Sequence, residues 1–389
     1  MRVLIIATPV DTHFLPMLPL VRALTGAGHD VLVAGQPDVT GPAEAAGLAT
    51  ATFGEAFHYR DLRRGRRPEG LRPLEVVGRP PAQQIDGAAQ MWRNHAPYFL
   101  YDYLELAREW RPDLVLGDHM EFAGPVIAEV LGVPSVWHRW GTAPTSAFML
   151  GQTRMWLGPL CERLGLDSVP EPDLTLDPAP PTLASTEAPP ARPIRPEPHT
   201  GDGTPWTYTA APGRRVAVAL GGYTLDLDGA PQLRRVLDVL AAAGGVEAVV
   251  SAAPRHRSAI GALPDGMTYT ERTEPGLLFA GADLVVHHGG PGSTLAAAAF
   301  GVPQLVLPQL DETFIAGDRV AAAGAGISLD TAELQNDDAQ LAASITALLT
   351  EPGYREGARR LRAEVEAMPT PADTVTLLEQ LTTRQEVLA

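Results

Sequence analysis

Between an apolar run that ends at His287 and a small-residue stretch that begins at Pro291, the chain reads His287-His288-Gly289-Gly290-Pro291-Gly292-Ser293-Thr294. A loop that only turns needs one glycine and no imidazole, so the pattern points to an anion. The N-terminus of a helix carries unpaired N–H groups and about half a unit of positive charge. Glycines such as Gly290 and Gly292 let that backbone approach a phosphate. Pro291 suits the first helical turn because its missing N–H would have no partner there. Ser293 and Thr294 add hydroxyl donors, and His287 adds a ring donor. Such a site holds a diphosphate without a metal. No P-loop and no Gly-x-Gly-x-x-Gly follows the first apolar run, which counts against ATP and NAD.

A second set of candidates lies in the first half. His13 follows the run "RVLIIATP", and Asp118 closes the run "DLVLGD". If both runs are strands of one parallel sheet, both side chains sit on its carboxyl rim, where ligands bind. A histidine held by a carboxylate is the arrangement that takes a proton from a hydroxyl. His138, in "PSVWHRWG", is a competing base or a residue of the acceptor pocket. No group of His, Asp and Glu shows metal-ligand spacing, and no metal is expected.

The elements that would position these groups are legible as apolar runs without polar alternation, each followed by a helical pattern. They fall at 2–9, 30–35, 113–118 and 134–140, and again at 214–223, 246–252, 282–290 and 302–308. That alternation predicts parallel sheets covered on both faces. Residues 170–212 hold twelve prolines, which reads as a linker without helix or central strand. Residues 331–367 and 372–388 read as terminal helices. The expectation is an α/β protein of two Rossmann-like parallel-sheet domains facing a cleft. They span 1–200 and 201–370, with a helix at 371–389 placed to pack back on the first.

Composition sets the outer limits. At 389 residues, with 45% hydrophobic and 20% charged content, the chain suits two soluble domains. No apolar run approaches the roughly 18 residues of a membrane span, and the N-terminal run reads as a strand, not a secretory signal. Cys161 is the sole cysteine, which excludes an internal disulfide. The cytoplasm is the expected compartment. A net charge of −16 argues against nucleic acid as partner, and the basic run at 60–67 reads as a solvated loop. All 30 basic residues are arginine, a bias that suggests a high-GC, actinobacterial source. Five of the six tryptophans precede residue 161. An apolar aromatic ligand would want such a lining, with Trp92, Trp137, His138, Trp140 and Met149 as candidates for an acceptor pocket.

The stretch "HHGGPGST…GVPQLVLPQLDETF" resembles the nucleotide-sugar signature of inverting family 1 glycosyltransferases of the GT-B fold. The likeness is to the actinobacterial enzymes that act on polyketides and antibiotics in particular. The segments "TPVDTHFLPMLPLVRALTGAGHDVLVAG" and "RPDLVLGDHMEFAGPVIAEVLGVPSVWHRWG" resemble the same family. The resemblance implies His13 as base with Asp118 as partner, and His287, Gly292 and Ser293 on the diphosphate of a dTDP- or UDP-sugar. It implies no other cofactor. Where the family carries an Asp-Gln pair for sugar hydroxyls, this chain has Glu312-Thr313, with Asp311 one residue away. Thr313 leans the reading toward a dTDP-deoxyhexose. Where the family lines the base with a Trp-Val-Pro-like segment, this chain has Glu271-Arg272-Thr273. A sugar-nucleotide epimerase and a catalytically silent partner protein are the rival readings. The acceptor, the choice of O- or C-glycoside and a homodimeric state stay open.

Overall fold

The computed structural model describes residues 1–388 except 60, 62–66, 82–90, 93, 144, 186–187, 199–205, 209–212, 272–273 and 311, with side chains to 383. Two parallel sheets form. The first contains β1 (Arg2–Ile6), β2 (Asp30–Gly35), β3 (Ala49–Thr52), β4 (Leu114–Asp118), β5 (Ser135–His138), β6 (Leu174–Asp177) and β7 (Arg192–Pro193). Its order is β3-β2-β1-β4-β5-β6-β7. The second contains β8 (Arg214–Ala219), β9 (Val246–Ser251), β10 (Met267–Thr270), β11 (Leu284–His287), β12 (Gln304–Val306) and β13 (Gly326–Ser328). Its order is β10-β9-β8-β11-β12-β13.

Strands whose side chains are buried on both faces explain the unalternating apolar runs. All five residues of β4 and all four of β11 are buried. On one face of the first sheet Leu4, Ile6 and Val115 pack with Leu104 and Ile127. On the other face Val3, Ile5 and Leu116 pack with Leu20 and Leu24. In each sheet the order in which strands are added reverses beside the first strand, between β1 and β4 and between β8 and β11. That crevice is where an open parallel sheet binds its ligand. His13 and Asp118 flank the first switch point, and the glycine loop after His287 opens the second.

Two expectations need correction. The proline-rich stretch 170–212 is not all linker, because β6 and β7 lie inside it and β6 pairs on both sides. Pro172 and Pro178 bracket the run Leu174–Asp177 without entering it, so the strand keeps its N–H groups. The stretch 331–367 is three helices, Ala332–Asn336, Asp338–Thr350 and Pro352–Ala367. Asp337 accepts from the N–H groups of Ala339 and Gln340 at 2.8 and 3.2 Å and starts the second. Pro352 starts the third at its first turn. The last helix, Pro371–Leu388, returns to the first half. Its Val375 and Leu378 join the cluster of Val3, Leu20 and Leu24, and Glu379 lies 3.0 Å from His29.

Candidate active site

Backbone N–H and side-chain hydroxyl of Thr8, just beyond β1, both donate to one Asp118 oxygen, at 2.7 and 3.0 Å. The same hydroxyl oxygen bonds Nδ1 of His13. Since that single hydrogen goes to Asp118, the oxygen accepts from a protonated Nδ1. Nε2 is then the unprotonated nitrogen, outside the relay. Asp118 lies 3.9 Å from Nδ1 directly, so the pairing expected from sequence runs through Thr8. The imidazole stacks on Trp140, 3.7 Å between ring centres and 13° from parallel, and meets Trp92 edge-on at 5.6 Å. Burial lowers the His13 pKa to about 3, keeping it neutral. Burial also raises Asp118 to about 6, against three hydrogen bonds that lower it. Glu121 is pushed to about 8 by burial and then by the Asp118 charge.

On the other sheet the two histidines separate. His287 is wholly buried. The Gly289 N–H donates to its Nδ1 at 3.1 Å, which fixes the proton on Nε2, 2.9 Å from the Gln304 carboxamide oxygen. Both ring nitrogens are engaged inside the domain, and His287 does not reach the cleft. His288 does. Its ring occupies space that only glycines leave: a Cβ on Gly221 would lie 2.5 Å from Cε1, and one on Gly290 would fall on Nε2. Gly289, at φ +87°, passes so close to the Thr313 carbonyl that a Cβ would lie 2.6 Å from its oxygen. These approaches account for consecutive glycines after the histidine pair. Burial lowers His288 to about 4, against a hydrogen bond to the Ala219 backbone carbonyl that raises it.

A cleft of ≈ 340 Å³ joins the two sets. From the first half it is lined by His13, Tyr59, His138 and Trp140, and from the second by His288, Gly290, Gly292, Ser293, Glu312 and Thr313. Thr294 is buried, and its hydroxyl donates back to the Gly290 carbonyl at 3.1 Å, so it belongs to the helix and not to the cleft. The Thr313 hydroxyl accepts from the N–H groups of Gln309 and Leu310 at 3.2 and 3.1 Å and donates to the Leu310 carbonyl. It therefore caps the loop, and only the rest of the side chain is left to meet a ligand. Asp311, Arg272 and Thr273 lie outside the described residues.

The expected acceptor lining divides. His138 and Trp140 face the cleft, and burial lowers His138 to about 4 against a hydrogen bond to the Arg139 backbone carbonyl that raises it. Trp92 backs His13 from behind, outside the cleft. Trp137 lines a separate cavity of ≈ 690 Å³ under the helix Ala147–Arg163, with its indole N–H on the Glu121 carbonyl at 3.3 Å. Met149 is packed in the core beside Leu157 and Leu160. Among the described residues no group of three or more His, Cys, Asp or Glu could hold a metal ion, and no helix is long and apolar enough to cross a membrane.

The sequence matches the N-terminal domain of the erythromycin biosynthesis protein CIII-like family over residues 22–221 and its C-terminal domain over 234–381. The chain belongs to this family. It is 35% identical to an L-demethylnoviosyl transferase of Streptomyces niveus, over 96% of both chains. It is 31% identical to a TDP-daunosamine transferase, DnrS, of Streptomyces peucetius, over 100% of this chain and 99% of that one. The fold superposes on the spinosyn rhamnosyltransferase SpnG with a TM-score of 0.86 at 35% identity, over 97% of this chain and 100% of the other. That enzyme has been solved with thymidine diphosphate and with spinosyn aglycone. The protein is accordingly a glycosyltransferase with the two-domain GT-B fold.

Several groups of this glycosyltransferase site escaped sequence reading. Thr8 joins His13 to Asp118, yet a threonine after a strand carries no distinguishing pattern. His288 carried a readable signal, as the first residue beyond a strand buried on both faces and so the first able to reach the rim. Tyr59 and Tyr223 stack across the cleft at 5.7 Å and 21°, a pairing between residues far apart in the chain that local spacing does not report.

Proposed function

We propose that the protein transfers a deoxysugar from a dTDP-sugar to an apolar, oxygen-bearing aromatic acceptor, with inversion at the anomeric carbon and without a metal. The observation that carries the reading is one cleft lined from opposite halves by a neutral, relay-held His13 and by His288 at the start of the helix Pro291–Phe300. For a hydroxyl acceptor, Nε2 of His13 removes the proton as the acceptor oxygen bonds to the anomeric carbon. The Nδ1 proton stays on the ring, donated to the Thr8 hydroxyl oxygen, and Asp118 stabilises the imidazolium that forms. The bond from the anomeric carbon to the diphosphate breaks on the opposite side. Backbone N–H groups of Gly292 and Ser293, with the helix N-terminus and His288, take the departing negative charge. His288, and not His287, carries the imidazole contact in this reading.

The donor nucleotide follows the TDP named for DnrS and the thymidine diphosphate bound to SpnG. An aglycone as acceptor follows the one bound to SpnG, and its apolar, aromatic character follows the Tyr59 and Trp140 lining of the cleft. With the Thr313 hydroxyl engaged by its own loop, one candidate partner for a sugar hydroxyl is withdrawn, and a site with fewer partners tolerates deoxygenation. The deciding experiment is a competition between a dTDP-deoxyhexose and UDP-glucose for one accepted aglycone, read as relative kcat/KM. The deoxysugar is expected to win, and a tenfold preference for UDP-glucose would refute it.

A further inference from the structure

The segment Arg67–Arg79 lies in the chain between β3 and the helix Leu100–Trp110, yet its arginines all end on the second half of the molecule. Arg67 reaches the Leu227 carbonyl at 3.4 Å and Asp228 at 3.5 Å. Arg79 bonds Asp318 and Asp330 and lies 5.7 Å over the Phe314 ring, on the helix that carries Glu312 and Thr313. Arg72 goes deepest and is 3% exposed. Its two terminal nitrogens donate to the carboxamide oxygens of Gln335 and Asn336, each at 2.7 Å. Its own backbone N–H donates to Glu75 at 2.9 Å and its guanidinium to the same carboxylate at 3.2 Å, which fixes the arginine at the start of the helix Pro73–Val77.

Gln335, fully buried, passes the contact on. Its oxygen also accepts from the Gln309 carboxamide nitrogen at 2.7 Å, while its nitrogen donates to the carbonyls of Pro308 and Leu329 at 3.0 and 2.7 Å. The direction of this chain is forced. A guanidinium has only donors, so Gln335 must turn its oxygen toward Arg72. Gln309 must then turn its nitrogen toward that same oxygen. What remains is the Gln309 carboxamide oxygen, which is buried and accepts no hydrogen bond among the described residues. Gln309 lines the cleft beside Thr313, to whose hydroxyl its backbone N–H donates. A buried acceptor left without a donor is costly, and the loop that carries Gln309 and Thr313 borders the cleft.

We propose that Arg72 is a positioning residue for the donor sugar: acting through Gln335, it holds Gln309 so that the Gln309 carboxamide oxygen accepts a hydrogen bond from a sugar hydroxyl. The first half of the chain thereby completes a contact in the donor site of the second. The inference rests on the nucleotide-sugar reading above.

The test is calorimetric binding of dTDP and of dTDP-glucose to the wild type, Arg72→Ala, Gln309→Met and the double variant. Gln309→Met removes the oxygen at nearly constant shape and leaves the contacts between the halves intact, so it stands even where Arg72→Ala folds poorly. The dTDP Kd is expected to stay the same in all four proteins. The dTDP-glucose Kd is expected to rise about five- to tenfold in each single variant, as for one neutral hydrogen bond. The double variant should lose no more than the larger single, because both changes remove one bond. An unchanged dTDP-glucose Kd in Gln309→Met overturns the proposal. So does an equal loss of dTDP itself, which would mark a purely structural role. A wild type that binds neither ligand instead defeats the donor reading on which the proposal stands.

Discussion

His13 sits where a base must, but its chemistry depends on a residue that the sequence did not advertise. With the Thr8 hydroxyl between them, Asp118 fixes the tautomer of His13 without touching it. His13→Ala is expected to cost about 10²–10⁴-fold in turnover, the usual worth of a general base, with dTDP affinity nearly unchanged. If His13→Ala keeps full turnover while His138→Ala loses it, the base is His138. The pH dependence separates the two members of the relay. His13, lowered to about 3 by burial, stays neutral over the working range. Asp118, raised to about 6 by burial, takes up a proton as pH falls through that value, and the anion that supports the imidazolium is lost. The acid limb of kcat/KM is therefore expected near pH 6, and Asp118→Asn should be slow and lack that limb. An unchanged limb in Asp118→Asn assigns it elsewhere.

At the scale of elements, the strands with continuous apolar runs and the glycine-to-helix junction were legible, since burial on both faces leaves no polar residue to break the pattern. β3 and β10 were not, because "ATAT" and "MTYT" mix polar and apolar residues in four-residue stretches that look like loops. β6 was hidden by flanking prolines. In the loop after β11 the chemistry was legible and the geometry was not. Residue type marks His287 and His288 alike, and only the end of the strand decides which faces the cleft. Thr294 and Thr313 likewise read as ligand donors, while capping inside their own elements claims their hydroxyls. Gly290→Ala tests the junction. The methyl group would fall on the His288 ring and force it to turn, while the backbone φ of −60° tolerates a side chain. We expect at least a tenfold loss of dTDP affinity with little change in melting temperature. Unchanged affinity would remove His288 from the phosphate site.

At the scale of the molecule, the two halves meet through specific contacts that the sequence could not report, because each joins residues far apart in the chain. Gly141 approaches Pro291, where a Cβ would lie 2.6 Å from the proline ring. Thr182 donates its N–H to Glu364 at 2.9 Å, and the Arg319 guanidinium reaches the carbonyls of Leu183 and Ala184. The last helix returns across the junction to the first core. These contacts put the relay of one sheet and the glycine loop of the other on a single cleft, and that shared cleft is the basis of the transfer reading. The most direct test is incubation of wild type and His13→Ala with a dTDP-deoxyhexose and a panel of polyketide and flavonoid aglycones in the presence of EDTA, read by mass spectrometry. The account predicts an acceptor heavier by one deoxyhexosyl residue and stoichiometric dTDP from the wild type, with both reduced at least 10²-fold in the variant. An isomerised dTDP-sugar with no acceptor product, or transfer that EDTA abolishes and magnesium restores, would contradict it.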